Sequence, residues 1–120
     1  MFAFLQNAVS GGTMTPAEAI TRSAANEVVL IDIRDPMEIR ASGKAKGALE
    51  IPSSTLAMRA DPRSPECLPE LKQGKPIAVY CASGARSSMA RMMLKRMGHD
   101  EVHNIGGLVH WQQAGGEITR

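Results

Sequence analysis

The sequence predicts an α/β domain built on a largely parallel sheet, and three observations carry that prediction. "EVVLIDI" (27–33) and "PIAVYC" (76–81) are continuous apolar runs with little or no polar alternation, the pattern of strands buried on both faces. Segments with helix caps and helical spacing separate them. At 120 residues and 12.9 kDa, with 43% hydrophobic and 22% charged residues, the chain can fill one core and is too short for two. Strand and helix alternating over one domain's length give a sheet with helices packed on it.

The elements follow in order. "MFAFLQNAVSGG" holds an apolar patch far shorter than the roughly 18 residues a membrane span needs, with no positive charge before it, and Gly11-Gly12 ends it. It reads as an arm over 1–14, or a short first strand, ahead of a single domain over 15–120 in a cytoplasmic protein without a membrane partner. Thr15, Pro16 and Glu18 form a capping-box signature, and a helix over 16–25 follows. After the strand at 27–33, Asp35, Pro36 and Glu38 repeat the signature and Gly43 closes a short helix. "GALEIP" is a brief strand ended by Pro52, and 53–75, with its prolines and charges, is an irregular connection with a helical turn or two. "PIAVYC" leads through "ASGA" into a helix whose apolar face is expected to hold Met89, Ala90, Met93, Leu94 and Met97, with Met92 off that face and Gly98 as the stop. "EVHNI" is a strand, Gly106-Gly107 a turn and "LVHWQQAG" a last helix.

Charge and cysteine count narrow the function. A net charge of +2 comes from 14 basic and 12 acidic residues interspersed along the chain, so no polybasic run points to nucleic acid. Two cysteines, Cys67 and Cys81, do not make a disulfide framework in a chain of this kind. Metal binding is disfavoured because His99, His103 and His110 are scattered singly and no ligand partner stands near Cys81. A free, reactive thiol is the working reading.

Position singles out Cys81. In an open parallel sheet the loops at the carboxyl ends of the strands line the ligand crevice, and Cys81 stands where a strand meets its helix. A helix N-terminus offers unpaired N–H groups and the positive end of the macrodipole, which favour a thiolate. Such a setting lowers a cysteine pKa from about 8.5 to roughly 3.5–7.5. Ala82, Ser83 and Ala85 are small enough for the loop to curl around the sulfur, Gly84 permits a positive φ, and Arg86 supplies a cation and a donor fork for an oxyanion. Ser87 follows directly and completes the expected substrate-binding set of Ala82, Ser83, Gly84, Ala85, Arg86 and Ser87 around a catalytic Cys81.

"LIDIRDPMEI", "GALEIP", "VYCASGARSSMA" and "VHNIGGLVHW", in this order and spacing, resemble the successive signatures of the rhodanese-like domains, over about 15–116. The resemblance implies an α/β fold with a central five-stranded parallel sheet and a six-residue active-site loop from Cys81 to Arg86. It also implies sulfurtransferase chemistry: a persulfide on Cys81, filled by thiosulfate or a related donor and emptied by cyanide or a thiol, with no metal or organic cofactor. The implied partners are that small sulfur donor and acceptor, and a protein acceptor is compatible with the same chemistry. Two alternatives stand beside this reading. One is a non-catalytic interaction module of the same fold, against which Cys81 argues. The other is an oxyanion-handling enzyme, an arsenate reductase or a phosphatase, on a similar loop; phosphatase relatives place five residues between Cys and Arg, and this chain has "ASGA".

Some positions depart from the pattern or carry a second role. Relatives often show Gly-His-Ile-x-Gly-Ala where this chain has "GKAKGA", so Lys44 and Ala45 replace a histidine and a larger apolar residue, and Lys44 with Lys46 reads as a solvated surface pair. Asp32 and Arg34 are expected to form a structural ion pair at a strand end, and Trp111 to anchor the core. Cys67 is read as a bystander, with a resolving thiol as its alternative role.

Overall fold

In the computed structural model, which describes residues 13–120, four parallel strands form the central sheet in the order β3-β1-β4-β5. These are β1 (Val29–Asp32), β3 (Leu49–Glu50), β4 (Ile77–Cys81) and β5 (Val102–Gly107). The helices are α1 (Pro16–Ala24), α2 (Pro36–Ser42), α3 (Leu56–Ala60), α4 (Ala85–Arg96) and α5 (Leu108–Gln113). β2 (Lys44–Ala45) pairs antiparallel with β6 (Ile118–Thr119) in a separate two-stranded ribbon. The parallel sheet thus has four strands where five were expected. The chain after Gly43, a positive-φ residue at 79°, enters the ribbon before it returns to the sheet at β3. The expected arm lies almost wholly outside the described residues, but Met14, assigned to it, is buried in the core.

Strand alternation divides the core into two layers. Odd-numbered side chains, Val29, Ile31 and Ile33 from β1 and its continuation with Ile77, Val79 and Cys81 from β4, face Leu56 and Ala60 of α3 and Ala90 and Leu94 of α4. Even-numbered ones, Val28, Leu30, Ala78 and Tyr80, face Ala19 of α1 and Leu108 and Trp111 of α5. A strand buried on both faces cannot alternate in polarity, which is why the two apolar runs were readable as central strands. The expected caps are present: Thr15 with Glu18 and Asp35 with Glu38 each form a complete capping box, with proline at the first turn.

Three details differ from the sequence reading. Met89 is 63% exposed, and the buried face of α4 is Ser87, Ala90 and Leu94 with Met93 and Met97 partly covered. Gly106-Gly107 is not a free turn but the end of β5, where the β4–β5 register shifts between Val79 and Cys81. Lys44 is half-buried, donating to the Ala48 carbonyl at 2.9 Å and pairing with Glu50 at 3.0 Å, so it is pinned and not a solvated partner of Lys46.

Other expectations match. Asp32 and Arg34 form a buried ion pair at 2.8 Å. Arg34 also donates to Ser42 Oγ and the Gly43 carbonyl, and Tyr80 donates its hydroxyl to Asp32 while accepting the Ala45 N–H. The small Ala45 sits fully buried on this network, where the backbone N–H and the Tyr80 hydroxyl meet at 2.9 Å. Every polar atom of this kind withdrawn from water needs a partner, and the network supplies them. Trp111 is buried, its indole N–H donating to the Glu117 carbonyl. Each histidine bonds to the fold: His99 to the Ala60 carbonyl, His103 to the Met14 N–H and Glu101, His110 to the Gly107 N–H. No helix among the described residues is long and apolar enough to cross a membrane.

Candidate active site

Cys81 is the last residue of β4, on the face that packs against α4, and is 1% exposed. Four residues later the chain is helical, so the intervening backbone must reverse within a very short loop. Gly84 makes this possible: it is the N-cap of α4 with φ 109°, a conformation that costs other residues free energy. A side chain there would also approach Gly106 Cα at 3.3 Å. The loop is held from behind by β5, because a Cβ on Gly107 would lie 2.0 Å from the Ala82 carbonyl oxygen. The glycine pair of β5 is therefore an approach surface for the loop.

The curled loop aims donors at the sulfur. The Gly84 N–H lies 3.0 Å and the Ser87 N–H 3.4 Å from Cys81 Sγ, with the Ser87 hydroxyl at 3.3 Å. Burial by itself pushes the Cys81 thiol up, but the Ser87 hydroxyl and the N–H groups of Ser87, Gly84 and Ser83 outweigh it and hold the pKa below the usual cysteine value. A thiolate here has its charge dispersed over fixed dipoles at the start of a twelve-residue helix.

The expected set is brought together unevenly. Gly84 and Ser87 touch the sulfur, and Ser83 adds an N–H. The side chains of Ala82 and Ala85 are exposed at the rim. Arg86 does not present an open fork: its Nη1 and Nη2 donate to Glu38 Oε1 and Oε2 at 2.7 and 2.8 Å. This pair holds the Glu38 carboxyl down at about 2, with the Arg86 hydrogen bond as the main cause, and raises the Arg86 guanidinium.

Two residues of the site were missed from sequence. Glu38 was read only as the third residue of a capping box, a role it does fill, accepting the Asp35 N–H at 3.2 Å. Nothing local signals its second partner, 48 positions away. Asn104, on β5, accepts the Ser87 hydroxyl at 2.7 Å and the Gly106 N–H at 2.9 Å and donates to the Gly84 carbonyl at 3.0 Å. Its only sequence signal was a polar residue inside a strand beside the glycine pair. The Ser87 hydroxyl has one proton for several acceptors, since Asn104 Oδ1, Cys81 Sγ and the Gly106 carbonyl all lie within reach.

The model of the rhodanese-like domain matches residues 15–114. The chain is 34% identical over 90 residues to a sulfurtransferase of Allochromatium vinosum, covering 74% of this chain and 76% of that protein. A solved structure from Rhodopseudomonas palustris, described as a protein of unknown function and possible tyrosine phosphatase, superposes with a TM-score of 0.78 at 39% identity, over 89% of this chain and 83% of that one. A thiosulfate sulfurtransferase of Pseudomonas aeruginosa superposes with a TM-score of 0.71 at 27% identity, over 88% of this chain and 19% of the larger protein.

Proposed function

Because this chain belongs to the rhodanese-like domain family, we propose that it is a sulfurtransferase carrying sulfane sulfur as a persulfide on Cys81. The observation that carries the reading is the convergence of the Gly84 and Ser87 N–H groups and the Ser87 hydroxyl on one buried sulfur at a strand end. With thiosulfate as donor, the Cys81 thiolate attacks the outer sulfur, a new S–S bond forms, the donor's S–S bond breaks, and its electron pair leaves with sulfite. The persulfide anion remains facing the loop amides. Cyanide or a thiolate then attacks the terminal sulfur and regenerates the Cys81 thiolate. Charge moves from one sulfur to the next without leaving the ring of donors, which is the electrostatic contribution of the loop.

The similarity to a possible tyrosine phosphatase keeps a second reading in view. Against it, only four residues, "ASGA", separate Cys81 from Arg86, and so short a loop favours a sulfur-sized ligand over a tetrahedral phosphate.

One experiment separates the two. Intact-protein mass spectrometry after incubation with thiosulfate is expected to show the gain of one sulfur, retained in Cys67→Ser and absent in Cys81→Ser. Cys81-dependent hydrolysis of an aryl phosphate by the native chain, with no sulfur gain, would overturn the proposal in favour of the phosphatase.

A further inference from the structure

The rim of this site is less cationic than an arginine beside a thiolate suggests. Both terminal nitrogens of Arg86 are committed to Glu38, at 2.7 and 2.8 Å, and the charge of Asp35, the N-cap of α2, also reaches Arg86. Arg34, another cation whose field reaches Glu38, is itself bound to the buried Asp32. With Cys81 as thiolate, the single guanidinium of Arg86 faces three negative groups. A dianionic donor such as thiosulfate would have to displace Glu38 from this fork or use the remaining guanidinium N–H groups beside its carboxylate, and in either case approach a rim whose charge opposes it. The reacting –S–SH group of a thiol persulfide needs no fork, because it has no oxygens, and it carries at most one negative charge.

We propose that Glu38 is a specificity-determining residue: by occupying the Arg86 fork it biases the site against dianionic oxyanion donors and toward thiol persulfides. The proposal rests on the sulfurtransferase reading of Cys81 and names the donor class. The step balances without an external oxidant. The Cys81 thiolate attacks the outer sulfur of R–S–SH, the new S–S bond forms as the donor's breaks, and the electron pair departs on the inner sulfur as R–S⁻, which takes a proton from solvent. Cys81 is left as the persulfide.

Glu38 has a structural duty as well, and the substitutions are chosen to leave it intact. Glutamine at this position also completes a capping box, so Glu38→Gln removes the charge and keeps the cap. Asparagine caps as well as aspartate, so Asp35→Asn does the same for the neighbouring carboxylate, and it stands in if Glu38→Gln does not fold. The readout is the ratio of kcat/KM for thiosulfate to kcat/KM for the persulfide of a small uncharged thiol, with a persulfidated neutral peptide as a second persulfide arm and one common acceptor. Removing a unit charge from this rim is expected to raise the ratio about tenfold in Glu38→Gln and about threefold in Asp35→Asn, with both gains shrinking at high salt. The same rise measured against the peptide donor extends the bias to persulfides borne on polypeptides. A ratio that stays level or falls in both variants, with both donors still loading sulfur onto Cys81, overturns the role of Glu38 and leaves the sulfurtransferase reading standing. Failure of both donors to load wild-type Cys81 overturns that reading instead.

Discussion

The two cysteines of this protein share a core layer and nearly the same burial, 1% exposed for Cys81 and 7% for Cys67, yet their thiols are shifted in opposite directions. Burial pushes Cys67 up against the smaller opposing pull of Lys72, and among the described residues its sulfur hydrogen-bonds to the neighbouring Leu68 carbonyl, an acceptor that offers a thiolate nothing. Burial pushes Cys81 up as well, but hydroxyl and backbone N–H donors turned toward its sulfur reverse the sign. Withdrawal from water is therefore not what sets the direction of the shift. The polarity of what replaces the water decides it. Cys67 lies in the irregular connection that follows α3, where backbone amides serve the local turns; Cys81 lies before a helix whose first N–H groups have no carbonyl to meet.

The largest expected effect is the difference in reactivity itself. With iodoacetamide at pH 7, Cys81 is expected to alkylate at least tenfold faster than Cys67, since each pKa unit is a tenfold change in thiolate fraction. Peptide mapping of a time course measures it, and equal rates would erase the comparison.

A smaller effect concerns the donors. Ser87→Ala removes a hydrogen bond to a charged group and is expected to raise the pH midpoint of Cys81 alkylation by about one unit, leaving the Cys67 profile in place. Asn104→Ala, which frees Gly84 and Gly106 from their anchor, is expected to raise it by less. A lowered midpoint in Asn104→Ala would show that Asn104 competes with the sulfur for the Ser87 proton.

The smallest effect is on stability. Cys81 has a depressed native pKa, so its contribution is present above the unfolded thiol value of about 8.5 and is lost as pH falls through the native value. Cys67 has a raised native pKa, so its contribution is present below about 8.5 and is lost as pH rises through the native value. Urea midpoints followed with pH are expected to rise less below about pH 8.5 in Cys81→Ala than in wild type. Above that pH they are expected to fall less in Cys67→Ala. Matching slopes in all three proteins would mean that neither thiol differs between the folded and unfolded chain.

The charged pairs repeat the lesson. Asp32–Arg34 is buried at one strand end and closed by Ser42, the Gly43 carbonyl and Tyr80, so it holds the chain's path. Glu38–Arg86 is partly exposed, and the charge of Cys81 reaches its arginine. The sequence already marked Asp32–Arg34 as a structural pair and Arg86 as a donor fork; only the structure shows that fork closed by Glu38.

The sequence by itself determined whatever depends on short-range chemistry. Unbroken apolar runs specified central strands, capping boxes specified the starts of α1 and α2, and a cysteine at a strand end followed by small residues, a glycine and an arginine marked the loop. Tertiary structure decided what depends on residues far apart in the chain. It set four parallel strands beside an antiparallel ribbon, because β2 finds its partner in β6 at the other end of the domain. It exposed Met89, because the turn of α4 that meets the sheet is set by Ser87 and Ala90. It brought Asn104 and Glu38 to the loop from β5 and α2. Hydrogen bonds and ion pairs are satisfied by whatever group the fold delivers within about 3 Å, and neither spacing nor composition carries that information across 17 or 48 positions.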